Sequence, residues 1–272
     1  MSATLSIPPL GAQTTTGLQR LLALVRIAAL RSLKVRYRGT FLGVLWSFGN
    51  PVMMTAVYSV LFGTAFAKYY DGSVLRYLFS TFVGLVVVTF FMNATSEALI
   101  TIVANGPTLN KIAVPPAVFP LAAVSANLFQ QALTTFPVVL LVSILVTHDP
   151  VRIALVPVVI AALAMLTIGF ALGLSALYVF FRDLSYIWGI AGFVLWLTSP
   201  LFYPASLVPA HVRVWFAINP IGQVMGAMRE VTLTEGPIHF ASIGLALGSG
   251  VLACLAGALL FRATQRDFMD LL

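Results

Sequence analysis

From Ile153 to Phe181 the chain carries no charged side chain. That stretch exceeds the roughly 20 apolar residues a bilayer-spanning helix needs. Comparable runs recur along most of the sequence. Only 8% of the 272 residues are charged and 60% are apolar or aromatic, against about 25% charged in soluble domains. The mean hydropathy of +1.01 agrees. A soluble enzyme is thereby excluded. Six spans with short loops nearly exhaust the length and leave no room for a soluble catalytic domain.

The expected spans are about 41–67, 74–101, 118–147, 152–181, 186–203 and 238–261. Asn50-Pro51 falls inside the first, where proline removes a backbone donor and is expected to kink the helix. Lys68 to Ser73 forms a polar turn, Thr147-His148-Asp149-Pro150 another, and Arg182-Asp183 a short loop. Residues 204–237 contain no clean span. Two short half-buried, re-entrant helices broken at Asn219-Pro220 fit them better. The fold class is therefore all-α integral membrane, with residues 37–272 forming one transmembrane domain.

Ahead of it, residues 1–17 read as a disordered tail without a cleaved signal, and 18–36 as an amphipathic helix. Arg20, Arg31, Lys34 and Arg38 fall within about 60° of one another on a helical projection. Leu21, Leu22, Val25, Ala29 and Leu33 take the other side, while Arg26 and Leu24 break the pattern. Such a helix lies in the membrane interface; the alternative is an ordinary positive flank. Ten of the fifteen Lys and Arg residues fall on the side shared by both termini, which puts the termini in the cytoplasm. The net charge of +7 is accordingly read as topology and contact with anionic lipid, not nucleic acid.

Chemistry is sparse. There is no Gly-Lys dipeptide and so no phosphate-cradling loop, no His-Glu-x-x-His, and His148, His211 and His239 lie too far apart in sequence to suggest a metal site. Cys254 is the single cysteine, which excludes an internal disulfide. Glu97 is the one ionisable residue well inside an expected span, where a central charge costs about 2.5–3.5 kcal/mol. It is read as a hydrated helix-end carboxylate or a partner of Lys111, with a proton relay as the alternative. Two aromatic stripes stand out. Phe41, Phe48, Tyr58, Phe62 and Phe66 share about 100° of arc in the first span, and Tyr186, Phe193, Trp196 and Tyr203 a similar arc in the fifth. Rings with polar tips suit the C–H faces of sugars, although packing alone also explains them. The polar segment 105–116 is either a connector or a short helix lying along the membrane that docks to a cytoplasmic partner.

Lys34-Val-Arg-Tyr-Arg-Gly-Thr-Phe-Leu-Gly-Val-Leu-Trp46 with Asn50-Pro51, the segment Asn105 to Pro116, Phe181-Arg182-Asp183-Leu184, and Pro200 to Arg229 occur in an order that resembles ABC exporter permeases of the type-2 fold. More narrowly they resemble those exporting lipid-linked polysaccharides such as O-antigen and teichoic acids. The resemblance covers about residues 20–265. It implies a multi-pass protein of the bacterial inner membrane working as a homodimer on two separate ATPase subunits. ATP and Mg would be bound by those partners and no cofactor by this chain. A polyprenyl-linked polymer would pass along the first and fifth spans. Arg31, Lys34, Arg36 and Arg38 would attract the lipid phosphate, and Leu42-Gly43 would form a hinge beside them. Asn105, Asn110, Lys111, Pro115, Arg182 and Asp183 would transmit the ATPase stroke. Pro209, Asn219, Pro220 and Arg229 would close the external mouth. The segment Lys111-Ile-Ala-Val-Pro115-Pro116 departs from the family's usual Phe-Pro after its Lys. The competing readings are an ABC permease for drugs or small lipids and an integral membrane glycosyl- or acyltransferase. A secondary transporter would need inverted repeats or several intramembrane charges.

Overall fold

The computed structural model describes residues 17–41, 43–111, 114–203, 207, 209 and 219–271. The expected N-terminal tail up to residue 16, Leu42 of the expected hinge, and most of 204–218, with the first expected re-entrant helix, lie outside the described residues. All regular structure among the described residues is helical.

Helix α1 spans Gly17–Arg36. A 3-10 turn at Gly43–Leu45 leads into α2, Trp46–Phe66, with Pro51 inside it. The long α3, Val74–Ala104, starts where Ser73 Oγ accepts the Arg76 N–H, and the four-residue α4, Gly106–Leu109, follows it. Next come α5, Val118–Leu133, and α6, Thr135–Thr147. Asp149 caps α7, Pro150–Phe180, with Pro150 at its first turn, where a missing N–H costs nothing. Then come α8, Leu184–Thr198, α9, Pro220–Leu233, α10, Phe240–Thr264, and the terminal turn α11, Phe268–Leu271.

Among the described residues, four helical stretches are long and apolar enough to cross a bilayer: Gly43–Tyr69, Val74–Ala104, Pro150–Phe180 and Phe240–Asp267. Two expected spans come out differently. The continuous third span is instead two helices, α5 and α6, bent by 45° at Thr134. Pro137 accounts for the bend, because its ring clashes with the carbonyl four residues back, on Leu133, and it brings no N–H to the ladder. The fifth span ends early. Its helix α8 has 15 residues, about 22 Å at 1.5 Å per residue, and stops because Pro200 holds Ser199 extended.

Helix α3 is the axis of the bundle, packed by α2, α5, α7 and α9. Its buried side chains include Tyr77, Phe82, Val86, Phe90 and Phe91. The most extensive helix pairing is α7 with α10. It is close because glycines face backbone there. A Cβ on Gly250 would lie 2.6 Å from the Ala162 carbonyl oxygen, and one on Gly257 would fall on the Gly169 carbonyl. Without a hydrophobic force between helices in lipid, such close backbone contact is what holds them. Helix α2 is the opposite case. Only Pro51, Thr55, Ser59 and Gly63, every fourth residue, are buried. At one end of the bundle Ile102, Leu109, Val179, Phe261 and Phe268 form a separate cluster. It gathers α4 and the ends of α3, α7 and α10, and is called the α4 end below.

Gly257→Leu should therefore part α7 from α10 and destabilise by at least the ~1–3 kcal/mol typical of overpacking. Gly248→Leu, where a Cβ meets nothing within 4 Å, should be tolerated. Fluorescence-detected size exclusion after stepwise heating checks both.

Candidate functional site

At the α4 end, α1 lies against α5. Val25, Ala29 and Leu33 are its buried residues, and Ala29 and Leu33 cluster with Ala122 and Ala126. Arg20, Arg26, Arg31, Lys34 and Arg38 are exposed. Arg36 is not. It stands eleven residues after Val25, about 20° away on a 3.6-residue helix, so it belongs to the docking face. Its guanidinium pairs with Glu97 Oε2 on α3 and donates to Gln130 Oε1 on α5 at 2.9 Å and to Asn127 Oδ1 at 3.4 Å. Asn127 Nδ2 donates to the same Glu97 oxygen at 2.6 Å, Ser32 Oγ to the other at 3.4 Å, and the Tyr37 hydroxyl to Gln130. Arg36 and Glu97 side chains are each 29% exposed, whereas Asn127 and Gln130 are 3% and 7% exposed.

Glu97 thus takes Arg36 as partner and not Lys111, which is exposed beyond the end of α3. Of the four basic residues expected to meet lipid phosphate, Arg31, Lys34 and Arg38 face outward and Arg36 is held inside. The link from α1 to α2 turns at Gly39 and Gly43, both with positive φ (79° and 51°). Phe41 between them is fully exposed.

The two aromatic stripes meet. Tyr58, Phe62 and Phe66 stack at 6.0 and 5.8 Å between ring centroids. Tyr58 lies 6.5 Å from Trp196, which stacks on Phe193 at 6.5 Å. Phe202 joins them, 3.5 Å from Tyr58 and 4.9 Å from Trp196. Sequence reasoning did not single out Phe202, which falls inside the expected fifth span, 186–203, but off the arc shared by Tyr186, Phe193, Trp196 and Tyr203. Phe48 packs edge-on against Phe82 in the core instead, and Tyr186 is exposed at the start of α8, away from the array. The Tyr203 hydroxyl donates to the Leu197 carbonyl.

Where α8 stops, the freed backbone is satisfied by side chains. Arg229 on α9 donates to the carbonyls of Pro200 at 2.8 Å and Leu201 at 3.2 Å, and also to Ser80 on α3. The Tyr77 hydroxyl donates to the Phe202 carbonyl at 2.9 Å. Asn219 caps α9 through the N–H groups of Ile221 and Gly222, and its amide reaches Ser199 Oγ at 3.2 Å. Arg229 and Asn219 thereby clamp the break from within. Pro209 is exposed. Another arginine, Arg152, not singled out in the sequence as a site residue, is 1% exposed. It donates to the carbonyls of Glu230 and Gly236 and lies within 4 Å of Asp149 and Glu230 carboxylates. Its signal was present: Asp149 lies three residues earlier, one helical turn away.

Among the segments expected to meet an ATPase, Asn105 closes α3 by donating its amide to the Thr101 carbonyl at 2.8 Å. Asn110, Lys111 and Pro115 are exposed, and Ile112 and Ala113 lie outside the described residues. Arg182 sits over the Tyr178 ring at 5.7 Å, and Asp183 precedes α8. The apolar cluster at the α4 end brings residues 105–111 and the end of α7 to the same side of the bundle.

Residues 23–233 match the ABC-2 type transporter family. The chain is also similar to two O-antigen export system permease proteins of Klebsiella pneumoniae, 22% and 23% identical over 244 residues. These alignments cover 89% of this chain and 92% of each relative. A protein of the same name from Myxococcus xanthus is 28% identical over 244 residues, 88% of this chain and 92% of the relative. The family match runs through Glu97, the aromatic array and the Arg229 clamp, and ends at the last residue of α9.

Arg229→Ala would leave the Pro200 and Leu201 carbonyls buried without donors, at about 1–3 kcal/mol per group. Asn219→Ala removes a helix cap worth about 1 kcal/mol. Both act on one break, so the double variant should lose less stability than the two singles added. Denaturant unfolding in detergent measures the three losses.

Proposed function

We propose that this chain, which belongs to the ABC-2 type transporter family, is the permease of an ATP-driven exporter that moves a lipid-linked polysaccharide across a bacterial inner membrane. The observation that carries this reading is the similarity to O-antigen export permeases along about nine-tenths of both chains, in one unbroken order. The rival cargoes, drugs or small lipids, have no comparable support.

Six crossings follow on this reading: α2, α3, the bent pair α5–α6, α7, α8 and α10. Helix α8 alone is shorter than the ~30 Å hydrocarbon core, and the segment after it completes the crossing. Irregular backbone is tolerated at that depth only when protein groups satisfy it, as Arg229 and Tyr77 do for residues 200–202. An even number of crossings puts both termini on the side rich in Lys and Arg, the cytoplasm. There α4 and the exposed Asn110 and Lys111 face a separate ATPase subunit that binds ATP and Mg. Two permeases and two ATPases form the transporter. The aromatic array of α2 and α8, of which Phe62 and Phe193 are exposed in a single chain, faces the polymer between the two copies. Exposed Arg31, Lys34 and Arg38 draw in the phosphate of the lipid carrier.

Inactivating the gene should abolish the surface polymer while its lipid-linked precursor accumulates inside, as read by immunoblot of surface glycan and mass spectrometry of extracted lipids. A normal surface glycan would refute the reading. In purified complexes, replacing Asn110 and Lys111 together by alanine should leave ATP hydrolysis within about twofold of wild type while export falls about tenfold, roughly 1.4 kcal/mol of lost coupling. Export that stays in step with hydrolysis would remove this segment from the coupling path.

A further inference from the structure

We propose that a cavity at the end of the bundle opposite α4 binds one acidic sugar unit of the exported polymer, with Tyr69 and Tyr70 against the ring and Arg229 on its carboxylate. This rests on the reading that the cargo is a polysaccharide and that this end faces outward.

The turn between α2 and α3 builds the outer wall. The N–H groups of Tyr70 and Gly72 both donate to the Ala67 carbonyl, and Asp71 and Gly72 take positive φ (54° and 72°). The chain thereby folds back and sets two adjacent tyrosines beside the start of α3. With Asp71, Arg76, Ser80 and Arg229 they line a cavity of about 190 Å³, closed on its far side by the end of α9. Tyr69 is 41% exposed, so the cavity is reached past its ring.

Size and lining narrow the ligand. The volume lies below the ~300 Å³ at which pockets for drug-sized molecules begin, so it suits a single ring. A tyrosine offers the C–H face of a sugar an apolar surface with a polar tip. Ser80 Oγ donates to the Tyr70 hydroxyl at 3.3 Å, which leaves the phenolic O–H to donate to a ligand.

Charge narrows it further. Arg36 has Glu97 within 4 Å, Arg76 has Asp71 and Glu235, and Arg152 has Asp149 and Glu230. Arg229 is held by the carbonyls of Ser80, Pro200 and Leu201 instead. Among the described residues no carboxylate pairs with it. Carbonyl dipoles solvate a guanidinium without cancelling its charge, and these bonds leave one N–H on Nη1 for a ligand. At the mouth, Lys68 lies 5.1 Å from the centre of the Tyr69 ring, and Arg76 is paired with Asp71 at 2.7 Å and with Glu235. Those four charges offset one another, and Arg229 leaves the cavity one positive charge in excess. A ring that carries a single carboxylate supplies both the face the tyrosines take and the charge Arg229 lacks.

The test titrates the purified permease in nanodiscs with D-glucuronate, D-glucose and inorganic phosphate, followed by ligand-observed NMR. Glucuronate should bind about tenfold more tightly than glucose, which lacks the charge, and than phosphate, which lacks the ring. Tyr69→Ala should weaken glucuronate about fivefold by removing one face of the cavity, and Tyr70→Phe should weaken it by removing a donor. Arg229→Gln should bring glucuronate down to the level of glucose. Arg229 also clamps the break after α8, so the two tyrosine variants keep the test decisive if that variant does not fold. Glucose or phosphate binding as tightly as glucuronate, no binding of glucuronate, or unchanged affinity in both tyrosine variants would each overturn the proposal. Hydrolysis of the surface glycan lost on gene inactivation should release an acidic sugar. A wholly neutral glycan would overturn the assignment to the cargo while leaving the export reading intact, which fails only if the glycan persists.

Discussion

A polar group carried into a bilayer finds no water there, and the chain must supply its partner. This requirement governs where the helices run and where they stop. Three arginines meet it in three ways. Arg36 pairs with Glu97, a partly buried carboxylate on α3, and ties α1 to α3 and α5. Arg229 carries the backbone past the end of α8. Arg152 closes the turn between α9 and α10 onto the start of α7. None of the three projects freely outward. In a protein with so few charges, those at structural joints are spent on backbone carbonyls and on partly buried acids.

That division sorts the remaining basic residues. Charges without an internal partner lie along the outer edge of α1 and beyond the ends of α3 and α7, as Arg31, Lys34, Arg38 and Lys111 do. These are also the places where anionic lipid or a second protein can approach. Internal satisfaction and external recognition are thus separated residue by residue, and the separation is sharpest within α1. Three positions before the end, Leu33 is buried, and Lys34 next to it is exposed; Arg36 turns back inward.

Much of this was legible in the sequence. The apolar runs coincide with the four long helices, and Asp149-Pro150 and Asn219-Pro220 start helices because Asx side chains accept first-turn N–H groups and proline needs none. What was missed was mostly encoded too, under a rule not applied. Pro137 marks the bend at Thr134, and Pro200 marks the early end of α8. Arg36 lies on the Val25 face by simple periodicity. The partners of Glu97 and Arg229 were not legible, because Asn127, Gln130, Ser80 and Pro200 come from elements distant in sequence, and one sequence without tertiary structure does not say which helices touch. The same holds for Phe202, whose ring joins the array only because a clamped, non-helical turn aims it there.

The packing also indicates which parts can separate. Local opening is easiest where buried apolar contact is least. Helices α3, α7, α9 and α10 share one dense core, with α7 and α10 in backbone contact at glycines. Helix α2 buries only Pro51, Thr55, Ser59 and Gly63, with Phe48 and Phe66 adding ring contacts to Phe82 and Tyr77 of α3, and the hydroxyls of Thr55 and Ser59 are buried there without a hydrogen-bond partner among the described residues. Burying such a group costs free energy that packing alone does not return. A seam with so few fully buried side chains resists parting less than the dense core does. It runs along the helix that carries Tyr58, Phe62 and Phe66 and follows directly from α1. The aromatic surface and the helix that Arg36 restrains therefore belong to the same weakly held side of the molecule.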